Sequence, residues 1–102
     1  MYTLVYSSKA DSDLSNIFNY IASNNRNSAI KYLSELEKVI LELKDYPESG
    51  HIANYPELAS LGIRMLSYDK YLIFYTINNT KQEIYISRIL RSSINYIHLF
   101  KD

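Results

Sequence analysis

The stretch GIRMLSYDKYLIFYTINNTKQEIYISRILR, from Gly62 to Arg91, constrains the fold more than any other part of the chain. Three runs rich in Ile, Leu, Tyr and Phe are separated by Tyr68-Asp69-Lys70 and by Asn78-Asn79-Thr80-Lys81. Aromatic and β-branched runs cut by short polar punctuation form consecutive antiparallel strands joined by tight turns. Alternation puts Tyr71, Ile73, Tyr75 and Ile77 on one face of the middle run and Leu72, Phe74 and Thr76 on the other. Both sets are mainly apolar, so the middle strand is expected to be covered on both sides. Against that background Arg64, Arg88 and Arg91 stand out, and they are the first candidates for function.

Upstream, Tyr2-Thr3-Leu4-Val5-Tyr6 reads as a short strand. Ser8-Lys9-Ala10-Asp11 is a helix start signal, and Ala10, Leu14, Ile17, Phe18 and Ile21 recur at helical spacing to about Ala22, with Asp13, Asn16 and Asn19 turned outward. The polar break Ser23 to Asn27 follows. A second helix is expected from Asn27 as its cap, with Ala29, Leu33, Leu36, Ile40 and Leu43 as its apolar stripe. That stripe lasts only about two heptads before Tyr46-Pro47, shorter than a coiled coil needs, so the two helices should pack as an antiparallel hairpin. Pro47-Glu48-Ser49-Gly50 is a turn, and the segment from there to Leu61 reads as an irregular connection, of a length often functional in small domains. Beyond Arg91, Ile94, Ile97 and Phe100 fit one face of a short terminal helix, with a final strand as the alternative. The expectation is one α+β domain over residues 1–102: an N-terminal strand, an antiparallel two-helix hairpin, then a three-stranded antiparallel meander completing one sheet.

Composition narrows the function classes. With 102 residues, 47% hydrophobic content, two Gly and two Pro, the chain suits a single small globule and not a disordered one. No run reaches the roughly 18 apolar residues of a membrane span, and the N-terminus lacks a secretory pattern, so a cytoplasmic protein without membrane contact is expected. There is no cysteine, and the two histidines, His51 and His98, are isolated, so neither a metal centre nor a cofactor is expected. Net charge is zero, but residues 1–61 carry five Lys/Arg against eight Asp/Glu, while residues 62–102 carry six against three. The strand half is the basic half, which suits an anionic partner, although ordinary solvated charge would look the same.

In order and spacing, several groups along the chain match one family: Ala10, Asp13-Leu14, Ile17 and Tyr20-Ile21; Ala29 with the leucine stripe; Pro47-Glu48-Ser49-Gly50; Gly62-Ile63-Arg64; Tyr71-Leu72-Ile73-Phe74-Tyr75; and Ile84 to Leu90. In these the chain resembles the RelE/ParE superfamily of toxins from type II toxin–antitoxin systems, a group that includes plasmid stabilisation proteins, over nearly its whole length. The resemblance implies a toxin that arrests bacterial growth, is neutralised by a cognate antitoxin and can form a hetero-oligomer with it. It also implies one of two mechanisms: RelE-like cleavage of messenger RNA in the ribosomal A site, or ParE-like inhibition of DNA gyrase.

If the chain is an endoribonuclease, the catalytic candidates are Arg64 on the phosphate and Tyr96 or His98 for proton transfer. If it acts by binding, Arg64, Arg88, Arg91 and Tyr96 are the candidates for contact with target or antitoxin. Each also has a plain structural reading, Arg64 and Arg88 as ion-pair partners and the histidines as solvated loop residues. Members of the superfamily often carry His and further basic residues where this chain has Arg91-Ser92-Ser93, and RelE-like nucleases are usually strongly basic whereas the pI here is about 6.7. These departures favour the ParE-like mechanism, with a target surface built from the helical hairpin and residues Ile94 to Asp102.

Overall fold

In the computed structural model, which describes residues 1–100, the elements run β1 (Thr3–Tyr6), α1 (Ser8–Ala22), α2 (Arg26–Leu41), β2 (His51–Ile52), α3 (Pro56–Ala59), β3 (Arg64–Tyr68), β4 (Tyr71–Asn78) and β5 (Glu83–Arg91). Short 3-10 turns occupy Glu42–Lys44 and Ile97–Phe100. The C-terminal segment thus takes the helical of the two readings weighed for it, shortened to one turn of 3-10 type. Lys101 and Asp102, part of the expected C-terminal surface, lie outside the described residues.

The meander is the centre of a larger sheet of order β1-β5-β4-β3-β2. Its strands pair antiparallel, and β1 joins β5 in parallel with Leu4 opposite Ile84 and Tyr6 opposite Ile86. Five consecutive residues of β4, Tyr71 to Tyr75, are buried, as a strand covered on both faces requires. On one face Ile17, Leu33, Leu36 and Ile40 of the helical hairpin pack against Ile73, Tyr75 and Ile86. On the other, Met65, Leu72, Phe74 and Leu90 lie beneath Leu58, Ile63 and the C-terminal aromatics Tyr96 and Phe100.

That second layer corrects the expectation of an irregular connection up to Leu61. The segment contains β2, whose Ile52 pairs with Arg64, and the single-turn helix α3, whose Leu58 is 1% exposed. Two-residue and four-residue elements are too short to show periodicity, so tertiary contacts alone decide them. The helix starts also shift slightly. Ser7, one residue before the predicted signal, caps α1 by accepting from the Ala10 N–H at 2.9 Å, and Asn25, not Asn27, caps α2 through Ser28.

The larger correction is Asp13. Helical spacing places it toward solvent, yet it is 9% exposed and its carboxylate accepts from Arg88 Nε at 2.9 Å, Arg88 Nη2 at 3.0 Å and the Ile89 N–H at 2.9 Å. A β-bulge makes this possible. Tyr75 lies opposite Ile86 but Phe74 lies opposite Arg88, so Ser87 is an extra residue in β5 and the strand's alternation slips by one. Ile84, Ile86 and Ile89 thereby all join the helix-side core, and Arg88 leaves the parity it shares with Ile84 and Ile86 in the sequence. Its bidentate bond to Asp13 raises the guanidinium pKa above its ordinary value. Replacing Asp13 by Ala would orphan a largely buried cation and a strand N–H together, an expected loss of about 3 kcal/mol of unfolding free energy in urea titration. The double variant Asp13→Leu/Arg88→Met should recover the part due to the orphaned cation and leave the part due to the Ile89 N–H.

Candidate functional site

Arg64 opens β3 opposite Tyr75, and its side chain is spent on main chain. Nε and Nη2 donate to the Gly50 carbonyl at 3.2 and 2.7 Å, and Nη2 also reaches the Glu48 carbonyl at 3.4 Å. The Tyr75 hydroxyl completes the clasp by donating to the Pro47 carbonyl at 2.7 Å and accepting from the Gly50 N–H at 3.0 Å. A Cβ on Gly50 would stand 2.6 Å from the Met65 carbonyl oxygen, so the turn closes only with glycine there. Arg64 thus has carbonyl partners where an acidic partner on the helices was an alternative. Its planar fork suits two carbonyls of one turn, which an ammonium cannot span in the same way.

Tyr96 and His98 belong to the opposite face of the sheet from Arg64. The Tyr96 ring packs on Phe74 at 5.0 Å and on Tyr55 at 5.7 Å, and its hydroxyl lies 3.8 Å from Met65 Sδ. Burial, with Tyr55 adding to it, pushes its phenol pKa up. His98 is exposed on the terminal 3-10 turn, and His51 is exposed on the edge strand β2. The three candidates for a nuclease site are therefore not brought together, since the sheet itself separates Arg64 from the Tyr96 phenol.

Arg91, opposite Tyr71 at the end of β5, is the most open of the three arginines. Its guanidinium lies over the Tyr71 ring, 5.9 Å from the centroid. It borders a hollow of about 440 Å³ whose rim includes the exposed side chains of Tyr20 and Ile94. Counting four positions along the strands and two strand spacings, its backbone is roughly 16 Å from that of Arg64. The arginines thus serve three separate places. Among the described residues no group of three or more His, Asp or Glu gathers as metal ligands.

A groove of about 1240 Å³ lies between the helices and β1, lined by Leu4, Leu14, Phe18 and Leu33 and by Ile30 and Leu41. Ile30 and Leu41 are half exposed, at 50% and 53%. Their signal was present in the sequence as two large apolar residues off the α2 stripe. Beside the groove runs the outer edge of β1. Thr3 and Ser7 donate to Gln82 and Ile86 of the β5 side, so by alternation the N–H groups of Leu4 and Tyr6 point away from the sheet. Burial, helped by the carboxylates of Glu37 and Asp11, pushes the Tyr6 phenol up to about 12.

Residues 4–96 match the family model of the ParE toxin of the type II toxin–antitoxin system, parDE, and the chain belongs to that family. Among solved structures it is similar to a chain of the chromosomal ParDE system from P. aeruginosa, with 23% identity, a TM-score of 0.72 and coverage of 89% of this chain and 96% of that one. It is similar to a chain of the RelBE2 toxin–antitoxin complex of Mycobacterium tuberculosis at 20% identity and a TM-score of 0.66, covering 88% and 96%. The intact RelBE complex of E. coli contains a chain that is similar at 12% identity and a TM-score of 0.64, covering 92% and 100%. These likenesses are of fold. No curated protein sequence matches.

The clasp generates a test. Arg64→Ala should keep the fold, lower stability by about 1–2 kcal/mol and speed hydrogen exchange at the Gly50 amide, with Arg64→Lys giving little rescue. Unchanged exchange at Gly50 would refute the role given to the clasp.

Proposed function

We propose that the chain is a toxin that arrests growth by binding DNA gyrase, with no chemistry of its own, and that a cognate antitoxin holds it inactive. The observation that carries this reading is the separation of Arg64 from Tyr96 and His98. General acid–base cleavage of RNA requires a cation on the phosphate and proton-transfer groups within hydrogen-bond reach of one substrate. Here the cation clasps a turn on the helix face while the phenol lies in an apolar cluster on the other. A binding toxin has no need of such convergence, and membership of the ParE family supports the same choice. The hollow beneath Arg91, with Tyr20 and Ile94 on its rim, offers a cation stacked on an aromatic ring beside exposed apolar side chains, the composition of a protein-contact surface.

The antitoxin has a separate place in this reading. The groove between α1 and α2 fits the apolar face of an amphipathic helix, and the free edge of β1 fits an extended strand. Arg64 and Arg88 are already engaged and Arg91 borders the hollow on the far side of α1, so the antitoxin's hold in the groove rests on apolar and main-chain contacts.

The purified protein should inhibit gyrase supercoiling or stabilise the gyrase–cleaved-DNA complex, and should leave messenger RNA intact on a programmed ribosome. Codon-dependent A-site cleavage would overturn the reading in favour of a ribosome-dependent endoribonuclease. A second experiment addresses the antitoxin: Ile30→Glu/Leu41→Glu should abolish complex formation, measured by calorimetry, while gyrase inhibition persists. Undiminished antitoxin affinity would exclude the groove.

A further inference from the structure

Of the three arginines in the strand half, Arg91 alone has a guanidinium with no hydrogen-bond or ion-pair partner among the described residues. Arg88 is matched by Asp13, Arg64 is spent on main-chain carbonyls, and Lys70 shares its turn with Asp69. What Arg91 does have is the Tyr71 ring, 5.9 Å from centroid to guanidinium, which restrains a side chain that would otherwise sample solvent. The hollow of about 440 Å³ beside it has Ile17, Ile89 and Leu90 in its lining, with Tyr20 and Ile94 on the rim. Tyr20 keeps 71% of its surface in solvent. A restrained cation beside an open apolar hollow lacks both of its complements, an anion and an apolar side chain.

The walls select between anions. A phosphodiester backbone calls for several cations in a row and offers nothing to an apolar lining. Here Arg91 is the only cation among the lining residues and the Asp13 carboxylate is one of them, so a polyanion is poorly served. A protein carboxylate fits better. The planar fork of Arg91 can hold its two oxygens at once, while an apolar side chain beside it in the chain fills the hollow and covers Tyr20. We propose that the hollow receives an acidic segment of the target protein, with a carboxylate on Arg91 and an adjoining aliphatic or aromatic side chain between Tyr20 and Ile94. This rests on the gyrase reading above and adds to it a specific anchor and its charge. The antitoxin groove uses the other flank of α1, since Leu14 and Phe18 line the groove whereas Ile17 and Tyr20 line the hollow. Target and antitoxin are therefore read by different residues of one helix.

The test measures binding of the intact protein to gyrase holoenzyme, without DNA and at two salt concentrations, by calorimetry, alongside binding to the antitoxin encoded beside it. Arg91→Glu should weaken gyrase binding about tenfold or more and flatten its salt dependence. Arg91→Lys, which keeps the charge but not the fork, should recover only part of the loss. Tyr20→Ala should weaken binding about fivefold with the salt dependence retained. Both positions are exposed, and antitoxin affinity should stay within about twofold for all three variants. The chain has no cysteine, so Asn16→Cys carrying a benzophenone gives one crosslinking point at the hollow. The captured gyrase peptide should hold Asp or Glu beside a large apolar residue, and changing that carboxylate to Lys should restore binding to Arg91→Glu. If the wild-type protein binds gyrase and Arg91→Glu binds equally well, the hollow is wrong and the gyrase reading stands. If the wild-type protein does not bind gyrase, both are wrong. If Arg91 matters only when DNA is present, the anion is a phosphate and the carboxylate anchor is refuted. Equal loss of antitoxin affinity in Arg91→Glu would make the effect structural and would likewise overturn the proposal.

Discussion

The carboxylate of Asp13 is the group on which this architecture turns. β1 pairs with β5 only as far as Ile86, and beyond that point the edge of β5 has no strand neighbour. An N–H left there in a protein interior would carry a desolvation cost comparable to a lost hydrogen bond. Asp13 meets the Ile89 N–H and the Arg88 fork together, so α1 completes the sheet edge that β1 leaves short. The bulge at Ser87 places Arg88 opposite Phe74, so that its guanidinium meets the carboxylate from the free edge of β5, and returns Ile89 to the core. One ion pair therefore fixes where the helical hairpin sits, and the position of the hairpin defines the groove beside β1.

A second constraint acts at the other side of the sheet. Gly50 lies so close to Met65 and Tyr75 that the Pro47–Gly50 turn is built against the backbone of β3, with Arg64 and Tyr75 consuming its carbonyls. The arginine that chemistry would most want on a phosphate is thus committed to structure. What remains available is surface: a groove with a free strand edge, and a hollow beneath Arg91 on the far side of α1. Such surfaces serve recognition of proteins, the task expected of a family whose members act in toxin–antitoxin pairs.

The elements legible in the sequence are those whose periodicity runs long enough to announce itself. Tyr71 to Ile77 declared a strand buried on both faces, and Ala29 to Leu43 declared a helix with one apolar stripe. Asp13 was misplaced because helical spacing marks a polar residue as outward, and its partner stands 75 positions away in β5. The reading of Arg88 as an ion-pair partner held, but not the identity of its partner or the slip in alternation, since a bulge leaves no mark in the residue types around Ser87. Candidate sites suffered most. Arg64, Arg88 and Arg91 are alike in sequence as charges among apolar residues, and only the tertiary partners distinguish a clasp, an ion pair and an open cation. The outline of the groove could not be read because it belongs to no element: it is the space that β1, α1 and α2 leave between them.

The central claim is that partner recognition is written on the helix groove and the outer edge of β1. Hydrogen exchange of the toxin alone and in its antitoxin complex tests this most directly at the amides of Leu4 and Tyr6, which point away from the sheet. The account predicts that both exchange readily in the free protein and become strongly protected in the complex. Unchanged exchange at both, with new protection confined to β2 or to the Ile97–Phe100 turn, would contradict it.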